Sequence, residues 1–161
     1  MITFPLTTAG HVALREELDR RLRVDRPALA DRIQEAVADE SNLAENSEYQ
    51  TALLDQQLND ARILELEDQL ARAEVINVSN LSGNEIKFGA TVTLIDEDTK
   101  ERSVWQLVGE SESNALQGKI SITSPIGRAL IGQKKGATVE VVTPTGIKAF
   151  QIKKVEWRKD E

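Results

Sequence analysis

The chain has 161 residues with 27 acidic and 20 basic side chains, a formal net charge of −7, one His and no Cys. The lack of Cys excludes disulfide frameworks, Cys-ligated zinc or iron–sulfur sites and thiol nucleophiles. No apolar run approaches the roughly 20 residues that a membrane span needs, and the N-terminus does not resemble a signal peptide. We therefore expect a protein of the reducing cytoplasm that makes no contact with membranes.

The charge is divided unevenly along the sequence. Up to Val75 there are 16 acids and 8 bases, a net charge of −8, and after Val75 there are 11 acids and 12 bases, a net charge of +1. No base lies between Arg32 and Arg62, and seven acids fall in this interval: Glu35, Asp39, Glu40, Glu45, Glu48, Asp55 and Asp60. These acids form either a solvated helical face or a site for a metal ion or a basic partner.

The first half of the chain favours helix, because residues 8–75 are rich in Ala, Leu, Glu, Arg and Gln. Its second part has the 4,3,4,3,4,3 spacing of a heptad seam: Ala52, Gln56, Asn59, Ile63, Leu66, Leu70 and Ala73. Its first part has a matching stripe: Leu14, Leu18, Leu22, Leu29, Ile33 and Ala36. The two stripes predict an antiparallel coiled-coil hairpin, with arms on the order of 40 Å at about 1.5 Å per residue.

Two local features are predicted within this hairpin. Pro27 removes a backbone donor and predicts a kink or a restart of the helix, with Asp25 as N-cap. Residues 39–46 form the connection at the tip. There Ser41 or Asn42 is predicted to cap the second helix, which would place Glu45 in its first turn.

After a polar linker the pattern changes to short strands, predicted at 91–95, 103–108, 119–122, 138–142 and 147–157. Ser124 followed by Pro125 predicts the N-cap and first position of a short helix that ends at Gly132. The sequence therefore predicts an α+β protein with a helical hairpin at 1–76, a linker at 77–85 and a small antiparallel sheet domain with one short helix at 86–161.

Motifs of an autonomous enzyme are absent from the sequence. There is no Gly-rich phosphate loop, no His-Glu-x-x-His and no Gly-x-Ser-x-Gly. Carboxylates on a projecting tip have no pocket of their own, whereas catalysis needs reactants held in a preorganised site. If the tip takes part in chemistry, another protein must supply the cleft.

Three runs of sequence resemble motifs of the bacterial Gre transcript cleavage factors, in the order and spacing of that family. They are residues 43–49 (Leu-Ala-Glu-Asn-Ser-Glu-Tyr), 88–92 (Phe-Gly-Ala-Thr-Val) and 124–132 (Ser-Pro-Ile-Gly-Arg-Ala-Leu-Ile-Gly). The resemblance implies that the C-terminal domain is FKBP-like and docks on bacterial RNA polymerase at the rim of the secondary channel. It also implies a transcription elongation factor that is not itself an enzyme. Its hairpin would enter the channel and stimulate the polymerase's own cleavage of backtracked RNA, acting only indirectly on the nascent RNA 3′ end.

The resemblance also implies roles for individual residues. The family's tip carries an Asp followed three places later by a Glu, and these positions correspond to Asn42 and Glu45. The tip carboxylates of the family help to hold a second Mg²⁺ at the polymerase active site, and no cofactor of the factor's own is implied. Since Asn42 brings an oxygen but no charge, Glu45 is the expected ligand, with Asp39 or Glu40 as a substitute partner.

Ser124, Pro125 and Arg128 match the family's docking region and are expected to contact the polymerase, although the helix start signals described above explain these residue types equally well. Asn42 leaves three functions open: an active cleavage factor, a cleavage-weak elongation factor, and a channel-binding regulator that competes with active members. The hairpin alone is also compatible with a coiled-coil adaptor for an unrelated partner. We expect a monomer, although a partly polar seam can also self-associate.

Overall fold

The structure, a computed structural model, describes residues 2–39 and 45–158, except for the side chain of Asp39. These residues form two compact units. One consists of residue 2 with residues 12–72, and the other consists of residues 3–11 with residues 73–158. Among the described residues, no helix is long and apolar enough to cross a membrane.

The first unit is a helical hairpin. Helix α1 (Thr8–Arg20), a π-helical turn (Arg21–Asp25) and helix α2 (Arg26–Asp39) follow one another along one arm, and helix α3 (Ser47–Ala71) forms the other and packs against α2. Four positions of the predicted heptad seam are buried in α3: Ala52, Asn59, Ile63 and Leu66. Leu14 and Ala36 are buried on the opposite arm. The predicted helical hairpin is confirmed.

The residues before Pro27 form a π-helical turn instead of a helix break. The Arg26 N–H donates to the carbonyl of Arg21, five residues back, and Arg26 has helical backbone angles (φ −60°, ψ −49°). In regular α-helical register the ring of Pro27 would collide with the carbonyl of Arg23. The wider π turn avoids this collision and keeps the chain helical. The predicted N-cap at Asp25 is therefore wrong.

The second unit begins with strand β1 (Phe4–Thr7), which pairs in parallel with strand β2 (Ala73–Ile76). Thr7 then caps α1, since its Oγ1 accepts a hydrogen bond from the N–H of Gly10 at 3.0 Å. The carboxylate of Glu112 accepts from the Thr7 hydroxyl, from the Thr7 N–H at 3.1 Å and from the Gly109 N–H at 3.2 Å. This carboxylate therefore ties the end of β1 to residues 109–112.

The main sheet of this unit has five strands: β3 (Thr91–Asp96), β4 (Arg102–Val108), β5 (Lys119–Ser121), β6 (Thr138–Thr143) and β7 (Gly146–Glu156). Their spatial order is β5-β4-β3-β7-β6. Each neighbouring pair is antiparallel, as predicted, except for β4 and β5, which are parallel. The short helix α4 (Pro125–Leu130) follows β5, and the α+β prediction is confirmed.

One face of this sheet forms the core together with α4. The side chains that are buried there come from β3, β4, β6, β7, α4 and the segment before β3: Ile86, Ala90, Val92, Leu94, Leu107, Leu130, Val139 and Ile152. Trp105 and Trp157 pack against this core while partly exposed. The predicted role of the two Trp residues as core or edge aromatics is confirmed.

Candidate functional site

The acid-rich interval of the sequence is neutralised in part by ion pairs across the hairpin. Arg32 Nη1 lies 3.1 Å from Asp55 Oδ2, and Arg26 Nε lies 3.6 Å from Asp60 Oδ1. Both pairs are about half exposed, so each stabilises the hairpin by no more than about 1 kcal/mol. Within the described part of the chain, no ion pair involves Glu35, Glu45 or Glu48. Three acids near the tip therefore have no basic partner among the described residues.

A polar network joins the two arms farther from the tip. Glu17 accepts from Arg62 Nη2 at 2.8 Å and Nε at 2.9 Å, and from Arg21 Nε at 2.7 Å. The Arg62 hydrogen bonds are the main cause that lowers the pKa of Glu17 from 4.5 to about 2, with Arg21 adding to the effect and burial opposing it. The same contact raises the pKa of Arg62.

Asn59, the buried polar residue of the seam, takes part in this network. Its Oδ1 accepts from Arg21 Nη1 at 2.9 Å, and its Nδ2 donates to the Arg21 carbonyl at 3.3 Å. Both ends of the amide are thus satisfied, which removes the penalty for burying it. Because these bonds form only when residues 21 and 59 are opposite each other, they select one register of the two arms.

Asn46 connects the arms at the tip. Its side chain is buried, its Nδ2 donates to the carbonyl of Ala36 at 2.8 Å, and its Oδ1 accepts from the N–H of Tyr49 at 3.0 Å. Asn46 is therefore the N-cap of α3 and also binds the last turns of α2. The predicted cap at Ser41 or Asn42 is wrong, because α3 begins only at Ser47.

Glu45 lies one residue before this cap and is exposed in a turn. It is not in the first turn of α3 as predicted, and Glu48 is the acid found there. Asp39 is the last residue of α2, but its side chain, like the whole of Glu40 and Asn42, lies outside the described residues. The prediction that Asp39 or Glu40 joins Glu45 as a metal ligand therefore stays a prediction.

No cluster of three or more His, Asp or Glu side chains that could hold a metal ion occurs in the described ranges 2–39 and 45–158. Glu45 offers oxygen ligands of the kind that Mg²⁺ binds. One carboxylate does not complete the coordination of this ion, which prefers six oxygens. Further ligands would have to come from outside the described residues.

The predicted docking residues lie at the start of α4. Ser124 Oγ accepts from the Gly127 N–H at 3.1 Å and donates to the Ser121 carbonyl at 2.6 Å, which confirms Ser124 as the N-cap. Pro125 and Arg128 are exposed. Gly127 is buried against β5, where a Cβ would lie 2.2 Å from the Ser121 carbonyl. The helix start thus presents two of the three predicted residues to solvent.

An open groove of about 490 Å³ lies beside α4. It is lined mainly by apolar residues, including Phe88, Ile122 and Ile131, and Arg128 is the predicted docking residue that borders it. Ser124 and Pro125 do not line this groove. Ile131 is 40% exposed. Neither Phe88 nor Ile131 was predicted from the sequence to be a binding residue, although Ile131 directly follows the helix that carries Arg128 and is apolar, which is a signal for such a surface.

Taken separately, the two units are a helical hairpin with acids at its tip and a sheet domain with a largely apolar groove. Residues 4–75 match the family model "Transcription elongation factor, N-terminal", and residues 81–157 match "Transcription elongation factor, GreA/GreB, C-term". The chain belongs to the GreA/GreB family of transcription elongation factors. The resemblance noted in the sequence is therefore confirmed.

Similar proteins cover almost the whole chain. "Transcription elongation factor GreA" of Nitrobacter hamburgensis is 61% identical over 154 residues, which are 96% of this chain and 97% of the relative. The protein of the same name from Rhodopseudomonas palustris (strain TIE-1) is 58% identical over the same proportions. Among solved structures, the GreA factor homolog 1 (Gfh1) protein of Thermus thermophilus is 32% identical and covers 96% of this chain and 99% of its own, with a TM-score of 0.43.

Proposed function

We propose that this chain binds bacterial RNA polymerase at its secondary channel and stimulates the polymerase's own cleavage of backtracked RNA. The sheet unit docks at the channel rim, and the hairpin tip reaches the active site. The observation that carries the proposal is the position of Glu45, an exposed acid that directly precedes the buried cap Asn46. Membership of the GreA/GreB family supports the same function.

In this proposal the chain lends a ligand to a site that the polymerase supplies. Asn46 holds the backbone next to Glu45 by bonds to Ala36 and Tyr49, so the carboxylate projects from an anchored point. A second Mg²⁺, when bound, stabilises the charge that develops on the oxygens during phosphodiester hydrolysis. Glu45 would contribute one hard oxygen ligand to it, and Asp39 or Glu40 would contribute another.

A network far from the tip fixes the position of Glu45 indirectly. It is formed by Glu17, Arg21, Asn59 and Arg62. Four hydrogen bonds of this network join the arms in one register, and a fifth, from Arg21 to Glu17, lies within one arm. A hairpin that slid along its seam would move the tip away from the reacting phosphate. Misplacement of a ligand by about 1 Å can cost on the order of 100-fold in rate.

A second candidate function follows from Asn42. This residue occupies the position where the family carries an Asp, so the pair of tip carboxylates is reduced to one. The chain would then occupy the secondary channel with weak cleavage activity and regulate transcription by competing with active cleavage factors.

Transcript cleavage in a defined backtracked complex, with cognate polymerase and Mg²⁺, tests the proposal. Glu45→Gln is expected to reduce the cleavage rate by at least about 10-fold, because it removes a charged ligand with little change in shape. Glu35→Gln, an exposed acid on α2, is the matched control and is expected to change the rate less than about twofold. The combined variant Asp39→Asn/Glu40→Gln tests the substitute ligands.

Equal rates for wild type, Glu45→Gln and Glu35→Gln would overturn the role of Glu45. A wild-type protein that fails to stimulate cleavage, but inhibits an active Gre factor in the same complex, would establish the regulator instead. Failure to bind polymerase at all would reject both functions and favour the adaptor.

The docking surface has its own test. Ile131→Glu places a charge in the apolar groove and is expected to weaken polymerase binding by at least about 10-fold. Leu116→Glu is the matched control, since Leu116 is 99% exposed in the same unit and lies outside the groove. Equal affinity of the two variants would show that the groove is not the docking surface.

A further inference from the structure

The sheet unit has a second cleft, of about 420 Å³, that shares no lining residue with the groove beside α4. Four basic side chains line it, from β4, the loop before β6 and β7: Arg102, Lys135, Lys153 and Lys154. All four are exposed, and none of the described residues that line the cleft is acidic. The cleft therefore concentrates positive charge in a chain whose net charge is −7.

Strand pairing holds these cations close together. The register between β3 and β7 shifts after Thr93, which makes Lys153 an additional residue next to Lys154 at a β-bulge. Arg102 of β4 pairs with Ile95 of β3, and β3 lies between β4 and β7. Since neighbouring strands are about 4.8 Å apart, the cations of β4 and β7 extend over roughly 10 Å across β3.

Acids of the sheet unit neutralise little of this charge. Lys154 Nζ lies 3.8 Å from Glu156 Oε1 in an exposed ion pair, which contributes little energy. Within the described part of the chain, no ion pair involves Arg102, Lys135 or Lys153. The cleft therefore has charge available for an acidic partner.

The tip of the hairpin presents the opposite charge. Glu35, Glu45 and Glu48 are exposed there and have no basic partner among the described residues. The bond from Asn46 to the Ala36 carbonyl joins the residues that directly follow Glu45 and Glu35, so the Cα atoms of these two acids are less than about 17 Å apart. Glu48 lies in the first turn of α3, three residues after Glu45. The acids and the cations thus form patches of similar extent.

From these two patches we infer that the acidic hairpin tip of one copy of the chain docks in the basic cleft of a second copy. Residues 1–75 carry a net charge of −8 and residues 76–161 a net charge of +1, so the hairpin of one copy is attracted to the sheet unit of another and repelled by its hairpin. Because every copy has both surfaces, the contact is heterologous and can repeat from copy to copy.

This contact covers the acids of the candidate site. Exposed ion pairs hold it, so it is weak, reversible and dependent on protein concentration. While it lasts, Glu45 of the docked tip is not available to a polymerase, a consequence that rests on the proposed function. The contact itself depends neither on polymerase binding nor on cleavage.

Sedimentation velocity of the full chain tests the contact in the absence of polymerase. At about 0.1 M salt the Debye length of about 10 Å screens the long-range repulsion between two acidic chains, but ion pairs in contact persist. We expect the sedimentation coefficient of wild type to rise with concentration, and to rise less at about 1 M salt. Lys153→Gln/Lys154→Gln is expected to weaken the association at least about fivefold. The matched control Lys100→Gln/Lys148→Gln changes two exposed lysines outside the cleft and should have less than about a twofold effect.

Glu45→Gln/Glu48→Gln separates docking from an effect of net charge. This variant is less negative than wild type, so net charge alone predicts stronger self-association, whereas loss of the docking acids predicts at least about fivefold weakening. Glu16→Gln/Glu67→Gln is the matched control, with the same change in net charge at two exposed acids of α1 and the later part of α3. It is not expected to weaken the association.

A mixture of Lys153→Gln/Lys154→Gln with Glu45→Gln/Glu48→Gln identifies the two surfaces as partners. The first variant keeps its tip and the second keeps its cleft, so a labelled sample of one should sediment faster when the other is added, although each alone associates weakly. A mixture that associates no better than its components would overturn the inference. So would a wild-type sedimentation coefficient that does not rise with concentration, equal weakening by both lysine variants, or stronger association of Glu45→Gln/Glu48→Gln.

Discussion

The side-chain amide of Asn46 donates a hydrogen bond of 2.8 Å to the carbonyl of Ala36, across the tip of the hairpin. The same amide caps α3 through Tyr49, so one buried residue closes the end of one arm and the start of the other. Glu45 is its direct neighbour in sequence. The geometry of the candidate site therefore depends on a residue that contributes no charge to it.

Two substitutions of Asn46 distinguish the contributions of these two contacts to stability. Asn46→Asp keeps the cap on Tyr49 but loses the donor to Ala36 and brings a buried carboxylate near a carbonyl, so we expect a loss of about 2 kcal/mol in unfolding free energy. Asn46→Ala loses both contacts and is expected to cost about 2–3 kcal/mol. Urea unfolding followed by circular dichroism measures both values.

Asn77→Ala is the control for the Asn46 variants, since Asn77 is an exposed N-cap of a 3₁₀ turn. Its expected cost is below about 1 kcal/mol. If Asn46→Asp proved as stable as wild type, the bond to Ala36 would contribute nothing, and the anchoring of Glu45 would lose its basis.

The Glu17–Arg62 contact makes the stability of the hairpin depend on pH. The pKa of Glu17 is lowered from 4.5 to about 2 in the folded protein, mainly by Arg62. Its contribution is therefore complete at neutral pH, falls as the pH drops below about 4.5 and is lost near pH 2. We expect Glu17→Gln to cost about 2 kcal/mol at pH 7, after allowance for partial exposure.

Denaturant unfolding at pH 7, 5, 3 and 2 measures how the free energy of unfolding depends on Glu17. The curves of wild type and Glu17→Gln should converge as the pH falls. Asp19→Asn is the matched control, because Asp19 pairs with Arg23 in an exposed contact on the same helix, and we expect it to cost less than about 0.5 kcal/mol. A constant difference between wild type and Glu17→Gln at all four pH values would contradict the assigned contact.

Regular hydrophobic spacing made much of this fold predictable. The heptad positions Ala52, Ile63 and Leu66 are buried in the seam, and the five main strands lie within two residues of their predicted ends. Ser124 and Pro125 begin α4 as predicted, because N-cap preference acts within one turn of the chain.

Features that depend on distant residues were not predictable in the same way. Strands β1 and β2 have four residues each, and Phe4 pairs with Ala73. The local sequence of one strand therefore does not indicate which distant segment it pairs with. Several residues near the tip are of types that can cap the N-terminus of α3. Asn46 is the one that does so, because its side chain is buried and also bonds to the carbonyl of Ala36. The bulge at Lys153 of β7 is likewise set by its pairing with β3.

Gly10 and Glu112 form a pair that is suited to a double-mutant cycle. A Cβ on Gly10 would lie 2.1 Å from Glu112 Oε1, so Gly10→Ala must displace this carboxylate from Thr7 and Gly109. We expect Gly10→Ala and Glu112→Ala each to cost about 1–2 kcal/mol. Gly10→Ala in the Glu112→Ala background should be neutral or stabilising, because Ala favours helix over Gly by about 1 kcal/mol.

Thermal and urea unfolding of the four proteins gives the coupling energy of this pair. Glu110→Ala, a change at an exposed acid of the same 3₁₀ turn, is the control and should alter stability by less than about 0.5 kcal/mol. Additive costs of Gly10→Ala and Glu112→Ala would show that the carboxylate does not depend on the space beside Gly10.

Gly127 is the position where α4 approaches β5 most closely. An added Cβ would meet the Ser121 carbonyl at 2.2 Å and the Ile122 Cα at 3.1 Å, and both are backbone atoms that cannot rotate away. Gly127→Ala must therefore push α4 outward, at an expected cost of about 2–3 kcal/mol. Gly132→Ala is the comparison, since Gly132 has a φ of +85° but open space around it, and the strain alone should cost about 1 kcal/mol. Urea unfolding measures both, and equal costs would mean that the close packing of α4 on β5 does not contribute to stability.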